Sequence, residues 1–425
     1  MQAYVRTAFL RVLVYNVLTH TYVRGSEWQV IHETTSDVWG SRRTPPVRFS
    51  HAAAVLHDQV VITHGFFYDV EARAAQWLSD TWSMSILSPY TWKKLHNGVD
   101  AAAAAKAYST RKVPAAPCGR YGATVVVYKQ QMWLFGGTDG GFSKKELDRS
   151  KSGTDMDELY VYDPKEHVWT FVSPRGKKPA PRYLHTAVVV ADAMLVFGGT
   201  KNTAGDVWSF NFKKMTWTRL LQAVALSRGG PGSLYAHCAV AAADDTGFIV
   251  HGGRHVDGDI SDVMWFFDLK KQTWRKLPVH VMHHSNPPAR FFHAMAAVSL
   301  ASAAGAQAVT AKGATAALIV GGSIRSPVLL CSTETWLMFV DPHTNDQIWR
   351  RLPNLPYGLH YHQVIVHHEA AFVTAGHLCS EVKQHTNLPH LYLNHVLRLD
   401  LSFWLGGTAS DAHHKSATWQ VHEQH

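Results

Sequence analysis

The sequence has few cysteines and no long hydrophobic run among its 425 residues. Its four cysteines, Cys118, Cys238, Cys331 and Cys379, are widely spaced and include no C-x-x-C pair. This pattern is neither that of a zinc module nor that of a disulfide-rich scaffold, and a reducing compartment is the simplest environment for it. No stretch of about 18 consecutive apolar residues is present, so a membrane-spanning helix is not expected.

Acidic residues are missing from the N-terminal region, where Glu27 is the first one in the chain. The region is otherwise apolar and basic, and Arg6 and Arg11 interrupt any signal-peptide core. No small-residue cleavage site follows, which argues against secretion. We therefore expect a cytoplasmic protein. A mitochondrial location is the alternative, because mitochondrial presequences are also basic and poor in acids.

Charged residues make up only 17% of the chain and hydrophobic residues 46%, a composition typical of a folded protein. The net charge is +9, which favours acidic proteins, RNA or anionic membranes as partners without selecting among them. Fifteen tryptophans occur together with thirty glycines. That combination favours β-strands joined by tight turns over a bundle of helices.

An internal repeat organises most of the chain. The segments "RFSHAAAVLHDQVVITHG", "RYGATVVVYKQQMWLFGG" and "RYLHTAVVVADAMLVFGG" share a leading Arg, a His or Ala three positions later, and two apolar strands around a polar turn. A Gly pair or its equivalent ends each segment. Six copies are recognisable by their anchor positions, His51, Ala123, His185, His237, His293 and His362. The first residues of the Gly-pair positions are His64, Gly136, Gly198, Gly252, Gly321 and Ala375.

The second half of each unit also repeats, as an aromatic strand, a turn and a strand with a tryptophan. The clearest copies are "DVWSFNFKKMTWTRL", "DVMWFFDLKKQTWRKL" and "DELYVYDPKEHVWTFV". In the first two, Trp208 and Trp217, and Trp265 and Trp274, are each nine residues apart. Large rings that recur at one place in every unit indicate a shared buried core rather than a ligand platform.

These units resemble kelch repeats, which have a period of about 50 residues. The resemblance covers residues 48–400 and implies four-stranded blades arranged around a channel, a β-propeller. We therefore expect an all-β, kelch-type β-propeller, with six four-stranded blades. Leu234 and Leu359 depart from the pattern by replacing the leading Arg, and Ala375-Gly376 replaces one Gly pair.

The last unit lacks its second tryptophan, so another segment must supply its outer strand. One candidate lies in residues 13–25, "LVYNVLTHTYVRG", which are followed by "SEWQVI"; the other is "ATWQVHE" near Trp419. We expect an N-terminal segment, 1–47, that closes the last blade, a propeller over 48–401, and a tail, 402–425. The alternative is a seventh, composite blade built from both ends. A third interpretation is that the sequence lacks an upstream half-blade.

No motif in the sequence predicts a catalytic, cofactor or metal site. A phosphate loop needs Lys and Ser or Thr opening a helix, whereas Phe142 follows the glycines of "GGTDGG" and a strand pattern follows Gly198. Four histidine pairs, at 283–284, 367–368 and 413–414 and at 360 with 362, could bind a transition metal. No carboxylate or cysteine converges with them in the sequence, so we expect no metal.

The predicted strand order places the variable loops on one face. With antiparallel strands a to d in each blade, the b–c loops and the d–a links emerge on the same side. The largest insertions there are 66–78, 96–119, 139–156, 278–289, 323–332 and 377–391; residues 300–316 and 402–417 lie opposite. Loops on a uniform scaffold carry function more often than the scaffold itself, so the loop-rich face is the predicted contact surface.

Candidate partner-binding residues on that face are the leading arginines and several loop residues. The arginines would form a partly cationic ring at one mouth of the channel; alternatively, each guanidinium satisfies local carbonyls or stacks on an aromatic ring. The full set is Arg48, Arg120, Arg182, Arg290, Lys201, Asn202, Arg254, His255, Arg325 and His377.

The favoured function is a non-catalytic scaffold or adaptor that binds a protein partner, with no cofactor, small-molecule substrate or membrane. Some kelch-like propellers resemble galactose oxidase or nitrile-specifier proteins, which use copper or iron, so a metal-dependent enzyme is the first alternative. No complete ligand set for such a metal is apparent. The second alternative is a basic subunit of a ribonucleoprotein assembly, since the +9 charge could contact phosphates.

Overall fold

Antiparallel β-strands dominate the structure, a computed structural model. It describes residues 27–32, 43–69, 74–99, 114–139, 154–200, 205–223, 225–279, 286–299, 314–326, 328–341, 345–378 and 391–402. No helix in these ranges is long and apolar enough to cross a bilayer. The all-β class predicted from the repeats is confirmed.

The described residues form six sheets. Each sheet has four main strands, labelled a to d in order from the central channel outward. We number these sheets as blades. Blade 1 contains Ala52–Leu56, Gln59–Thr63, Thr81–Ser85 and Trp92–His96; blade 2, Thr124–Tyr128, Gln131–Phe135, Leu159–Asp163 and Val168–Val172; blade 3, Thr186–Val190, Ala193–Phe197, Val207–Asn211 and Thr216–Leu221. Blade 4 contains Cys238–Ala241, Gly247–His251, Met264–Asp268 and Thr273–Lys276; blade 5, Ala294–Val298, Thr315–Val320, Thr335–Val340 and Gln347–Leu352; blade 6, Gln363–His367, Ala370–Leu378, Leu391–Asp400 and Gln29–His32.

The six a strands contact one another in a closed ring around the central channel. A circle of six main-chain hydrogen bonds, 2.8–3.1 Å long, joins the residues just before these strands, each N–H donating to the preceding blade's carbonyl. All six residues adopt the left-handed conformation, with φ between 50° and 65°. That conformation is unfavourable outside glycine, so the ring of hydrogen bonds offsets a local cost at five of the six positions. The residues are Ser50, Gly122, Leu184, Ala236, Phe292 and Tyr361.

An N-terminal strand, Gln29–His32, is the outer strand of blade 6. It pairs antiparallel with Leu391–Asp400, with Gln29 opposite Arg398 and Val30 opposite Leu397. The adjacent Trp28 is buried, and its indole N–H donates to Thr335 Oγ1 of blade 5 over 3.1 Å. The first and last parts of the propeller are thereby joined in one sheet. Residues 13–25, which the sequence favours as part of the closing segment, and Trp419, which the other candidate requires, lie outside the described residues.

The hydrophobic core lies between neighbouring blades. Between blades 2 and 3, for example, the ring of Trp217 packs 5.0 Å from Phe135 and 5.1 Å from Phe210, centre to centre. The repeated tryptophans of strands c and d are buried in such clusters. Their recurrence therefore has a structural cause, as the repeat pattern predicts.

Short hairpins extend several blades on the loop-rich face. Each leading segment pairs with the start of the b–c loop of its own blade. In blade 1 the b–c loop itself forms a hairpin, Phe66–Asp69 with Ala74–Trp77. The leading segments that form short strands are Leu234–Tyr235, paired with Arg254–His255; Arg290–Phe291, paired with Ser323–Ser326, which in turn pairs with Val328–Cys331; and Leu359–His360, paired with the end of Ala370–Leu378. A 3-10 helix, Leu226–Arg228, precedes blade 4.

Candidate functional site: the channel mouth on the loop-rich face

The four leading arginines are fully buried and bonded within their own blades. Arg48 is typical: its Nε donates to Pro46 O (3.3 Å), Nη1 to His64 O (2.9 Å), and Nη2 to Asp80 Oδ1 (3.0 Å). Arg120, Arg182 and Arg290 repeat this arrangement with Glu158, Asp206 and Glu334 as the acidic partners. All four side chains have no exposed surface. The prediction that they form a cationic partner-binding ring is wrong, because every one of them satisfies carbonyls and a carboxylate of its own blade.

Where the arginine is absent, the acid is absent too. Blade 4 has Leu234 at the leading position and Val263 at the acid position, and these two residues belong to one apolar cluster. Blade 6 has Leu359 and His395 at the same two positions. A buried charge without its partner is strongly destabilising, so both members of the pair must change together.

The anchor histidines are buried between blades and line the wall of the channel. His237, for example, bonds through Nε2 to Thr186 Oγ1 of the preceding blade over 3.0 Å. Burial lowers its pKa to about 3, and burial likewise lowers the pKa of His185 well below its usual range. These histidines are neutral at physiological pH and serve as structural residues.

The channel itself is a narrow cavity of about 240 Å³, lined by four consecutive residues from each blade. Its lining includes small side chains such as Ala52, Thr124 and Ala239. The thiol of Cys238 also lies here and donates to His293 O at 2.8 Å. Burial raises the pKa of Cys238 to about 12, so the group stays protonated and is a poor nucleophile.

Aromatic side chains surround the channel mouth on the loop-rich face. Consecutive ring contacts run from Tyr183 to Tyr121 (5.7 Å), to Phe66 (5.8 Å), to Phe49 (5.0 Å) and to Tyr361 (5.4 Å). Tyr361 then stacks on Phe292 at 3.7 Å. We call these six residues the aromatic collar. All six are partly exposed, so the collar presents an apolar surface that a partner can reach.

The collar also carries hydroxyl groups that stay protonated. Burial raises the pKa of Tyr361 above its usual range, and the nearby Tyr121, Tyr235 and Tyr183 raise it further. The pKa of Tyr121 is raised by burial, by Tyr183 and by the carboxylates of Asp155 and Asp139. The collar therefore combines large rings with hydrogen-bond donors, which is the composition of protein-binding surfaces.

Three of the predicted loop residues lie in the short paired segments of the loop-rich face, and His377 contacts the collar. Arg254 sits 5.7 Å above the ring of Phe291, the neighbour of Phe292, and donates through Nε to Gly258 O. His255 pairs with Leu234 in the same short sheet. His377 lies 5.9 Å from Phe49, with its Nδ1 2.7 Å from Nε2 of His360.

Of the remaining predicted loop residues, the structure describes one. Arg325 is exposed on the hairpin above blade 5. Lys201 and Asn202 lie outside the described residues. The residues that the prediction missed are the collar aromatics. A signal exists for three of them, Phe49, Tyr121 and Tyr183, because each directly follows the leading arginine of its repeat. Phe292 and Tyr361 lie two positions after the leading residue, and Phe66 opens a b–c loop, so this pattern does not mark them.

A disulfide was not expected from the cysteine spacing. Cys331, at the end of the hairpin strand Val328–Cys331, is disulfide-bonded, whereas Cys118 and Cys238 are not part of a disulfide. Cys118 instead accepts a hydrogen bond from Arg120 through its sulfur at 3.4 Å. Spacing along the chain misses such a bond because the partners of a disulfide are set by the fold.

Comparisons with known proteins agree with this architecture. The KLHDC2/KLHL20/DRC7 Kelch-repeats domain model matches residues 102–302. The chain is 24% identical to the Acyl-CoA-binding domain-containing protein 4 of Arabidopsis thaliana, over 56% of this chain and 31% of that protein. It is 26% identical to the Leucine-zipper-like transcriptional regulator 1 homolog of Drosophila melanogaster, over 40% of this chain and 21% of that protein. The chain thus spans less than a third of the length of these two curated relatives.

A solved structure, that of YjhT, shares the fold. It aligns with a TM-score of 0.54 at 14% identity, covering 84% of this chain and 96% of YjhT. At this level of identity the match concerns architecture alone. The repeats, the ring of four-stranded sheets and the matched domain model together identify the chain as a kelch-repeat β-propeller.

Proposed function

We propose that this propeller is a non-catalytic scaffold that binds a partner protein at the aromatic collar. The observation that carries the proposal is the continuous arc of partly exposed rings from Tyr183 to Phe292, placed where the loop-rich face meets the channel. Tyrosine, phenylalanine and arginine are enriched at the centres of protein interfaces, where truncating one of them commonly costs more than 1 kcal/mol. The kelch architecture supports the proposal, since such propellers present loops on a rigid frame.

The collar favours a partner segment with an apolar side chain at its centre. The rings supply the apolar contact, and the protonated Tyr121 and Tyr361 hydroxyls can donate to main-chain carbonyls. Arg254 and Arg325 lie at the rim of the same face, so acidic residues beside the apolar one would add attraction. Rim charges of this kind act mainly on the rate of association and on specificity.

Crosslinking of the purified chain to its co-purified partner, followed by mapping of the linked residues, tests the proposal. We expect Tyr183→Ala to lower the partner's affinity at least tenfold, because it removes a ring from the arc. Leu87→Ala is the matched control: Leu87 is 71% exposed in the c–d turn of blade 1, on the opposite face. Crosslinks confined to the c–d turns, or equal losses for both variants, would contradict the proposal.

A cytoplasmic location, with mitochondria as the alternative, and RNA association through the +9 charge stay predictions. Imaging of a fluorescent fusion in intact cells tests the location. Binding to RNA would weaken steeply as salt is raised, because phosphate contacts release counterions. Affinity for RNA that does not change with salt would exclude that role.

A further inference from the structure

Two a–b turns meet on the face opposite the collar, at the junction of blades 6 and 1. Asp58 lies in the turn of blade 1, His367 ends strand a of blade 6, and His368 follows in the turn. His367 Nε2 is 2.9 Å from Asp58 Oδ1. One ligand atom from each of the three residues lies within 4.8 Å of the other two. The fold thus brings together two imidazoles and a carboxylate from opposite ends of the propeller.

The junction of blades 2 and 3 has the same geometry but different chemistry. There Tyr128, at the end of strand a, donates to Asp192 in the next turn over 2.6 Å. The ammonium of Lys129 sits 5.4 Å over the Tyr128 ring, and Lys213 forms an ion pair with Asp192. The positions of Tyr128, Lys129 and Asp192 correspond to those of His367, His368 and Asp58. Protein cations therefore balance the carboxylate at the junction of blades 2 and 3.

At the junction of blades 6 and 1 the carboxylate has no such cation. Among the described residues, neither Lys nor Arg forms an ion pair with Asp58. The Nε2 atom of His367 is inaccessible to solvent and lies 2.9 Å from Asp58 Oδ1. When the ring carries its proton on Nδ1, the Nε2 lone pair and the carboxylate oxygen lie side by side and are suited to a shared metal ion.

We propose that Asp58, His367 and His368 bind one divalent transition-metal ion of the zinc class, with water in the fourth position. A tetrahedral zinc site with bonds of about 2.0–2.2 Å holds its ligand atoms about 3.4 Å apart. The three groups need to close by about 1.5 Å at most, and Asp58 and His368 are exposed and free to adjust. The bound ion would connect the first and last blades and so stabilise ring closure.

Titration of the purified full chain with Co²⁺ and Zn²⁺ tests the site. We expect one saturable equivalent of Co²⁺ with the intense visible absorption of tetrahedral coordination, and a higher melting temperature in Zn²⁺. Asp58→Asn and His368→Gln should each weaken this first equivalent at least tenfold and remove the absorption band, because each variant deletes one ligand. Both residues are exposed, so the variants are expected to fold.

Asp192→Asn, at the equivalent junction of blades 2 and 3, is the matched control and should leave metal binding unchanged. The chain has 28 histidines, so weak binding elsewhere is expected as a background. Unchanged affinity and spectrum in His368→Gln would overturn the proposal. Weak binding of several ions without a saturable first equivalent would overturn it as well.

Discussion

At the scale of single residues, a glycine and a histidine are matched across four of the six blade boundaries. Gly198 has φ 70°, and a Cβ added there would lie 2.4 Å from Cε1 of His237 in the next blade. The first boundary reverses this pair: His64 stands at the glycine position and Ala123 at the histidine position. The His64 ring packs 5.9 Å from Trp169 of blade 2. One imidazole ring therefore fills the space at each of these boundaries. It comes from the preceding blade at His64 and from the following blade at His237.

Gly198→Ala should therefore lower the free energy of unfolding by about 2–4 kcal/mol, through the left-handed backbone and the overlap with His237. The double variant Gly198→His, His237→Ala copies the natural exchange at His64 and Ala123. We expect it to be more stable than the sum of its single variants, as measured by urea denaturation in a double-mutant cycle. Strict additivity would contradict the steric explanation.

At the scale of elements, the outer strands differ in how their edges are protected. In blades 1, 3 and 5 a basic side chain of strand d lies over the c-strand tryptophan, with Lys94 above Trp82, Arg219 above Trp208 and Arg351 above Trp336. Charges at these edges disfavour pairing with another chain. In blade 6 the outer strand is only Gln29–His32, and Trp28 beside it is buried in the core that blade 6 shares with blade 5. The outer part of blade 6 thus depends on one short strand and one large side chain, whereas the a strands and their hydrogen bonds close the ring at the centre.

Trp28→Ala should lower the free energy of unfolding by about 3–5 kcal/mol, because it leaves a cavity and removes the hydrogen bond to Thr335. Trp28→Phe keeps most of the apolar contact and should cost less. The same truncation at Trp77, which is half-buried in a hairpin outside the blades, is the control and should have a smaller effect. Chemical denaturation followed by circular dichroism compares the three. Equal losses at Trp28 and Trp77 would mean that Trp28 does not hold the closing strand.

At the scale of the whole molecule, buried neutral histidines surround the channel. Burial lowers the pKa of His251 to about 3 and of His362 to about 4. The pKa values of His51, His185 and His293 are also far below normal, first because of burial and second because of a nearby Arg or His. The folded state therefore resists protonation that the unfolded chain accepts near pH 6.5.

Stability should fall as the pH drops below about 6.5, because the unfolded chain then takes up protons that the folded state excludes. The loss approaches about 1.4 kcal/mol per pH unit for each such histidine and continues down to the folded pKa values. Above pH 7 these groups contribute no pH dependence. The urea midpoint measured between pH 8 and pH 5 checks this. A midpoint that stays constant from pH 7 to pH 5.5 would show that the histidines are accessible to protons in the folded state.

The sequence by itself determined the repeat, the all-β class and the burial of the tryptophans, because strand alternation and recurring turns are local patterns. Only the tertiary structure decided that Arg48 and its three counterparts face carboxylates rather than solvent, since their partners lie 24–44 residues away. Ring closure likewise brings Asp58 to His367 and His368, and brings Phe49 of blade 1 against Tyr361 of blade 6 in the collar. Such groupings depend on contacts between distant segments, which neither spacing nor composition encodes.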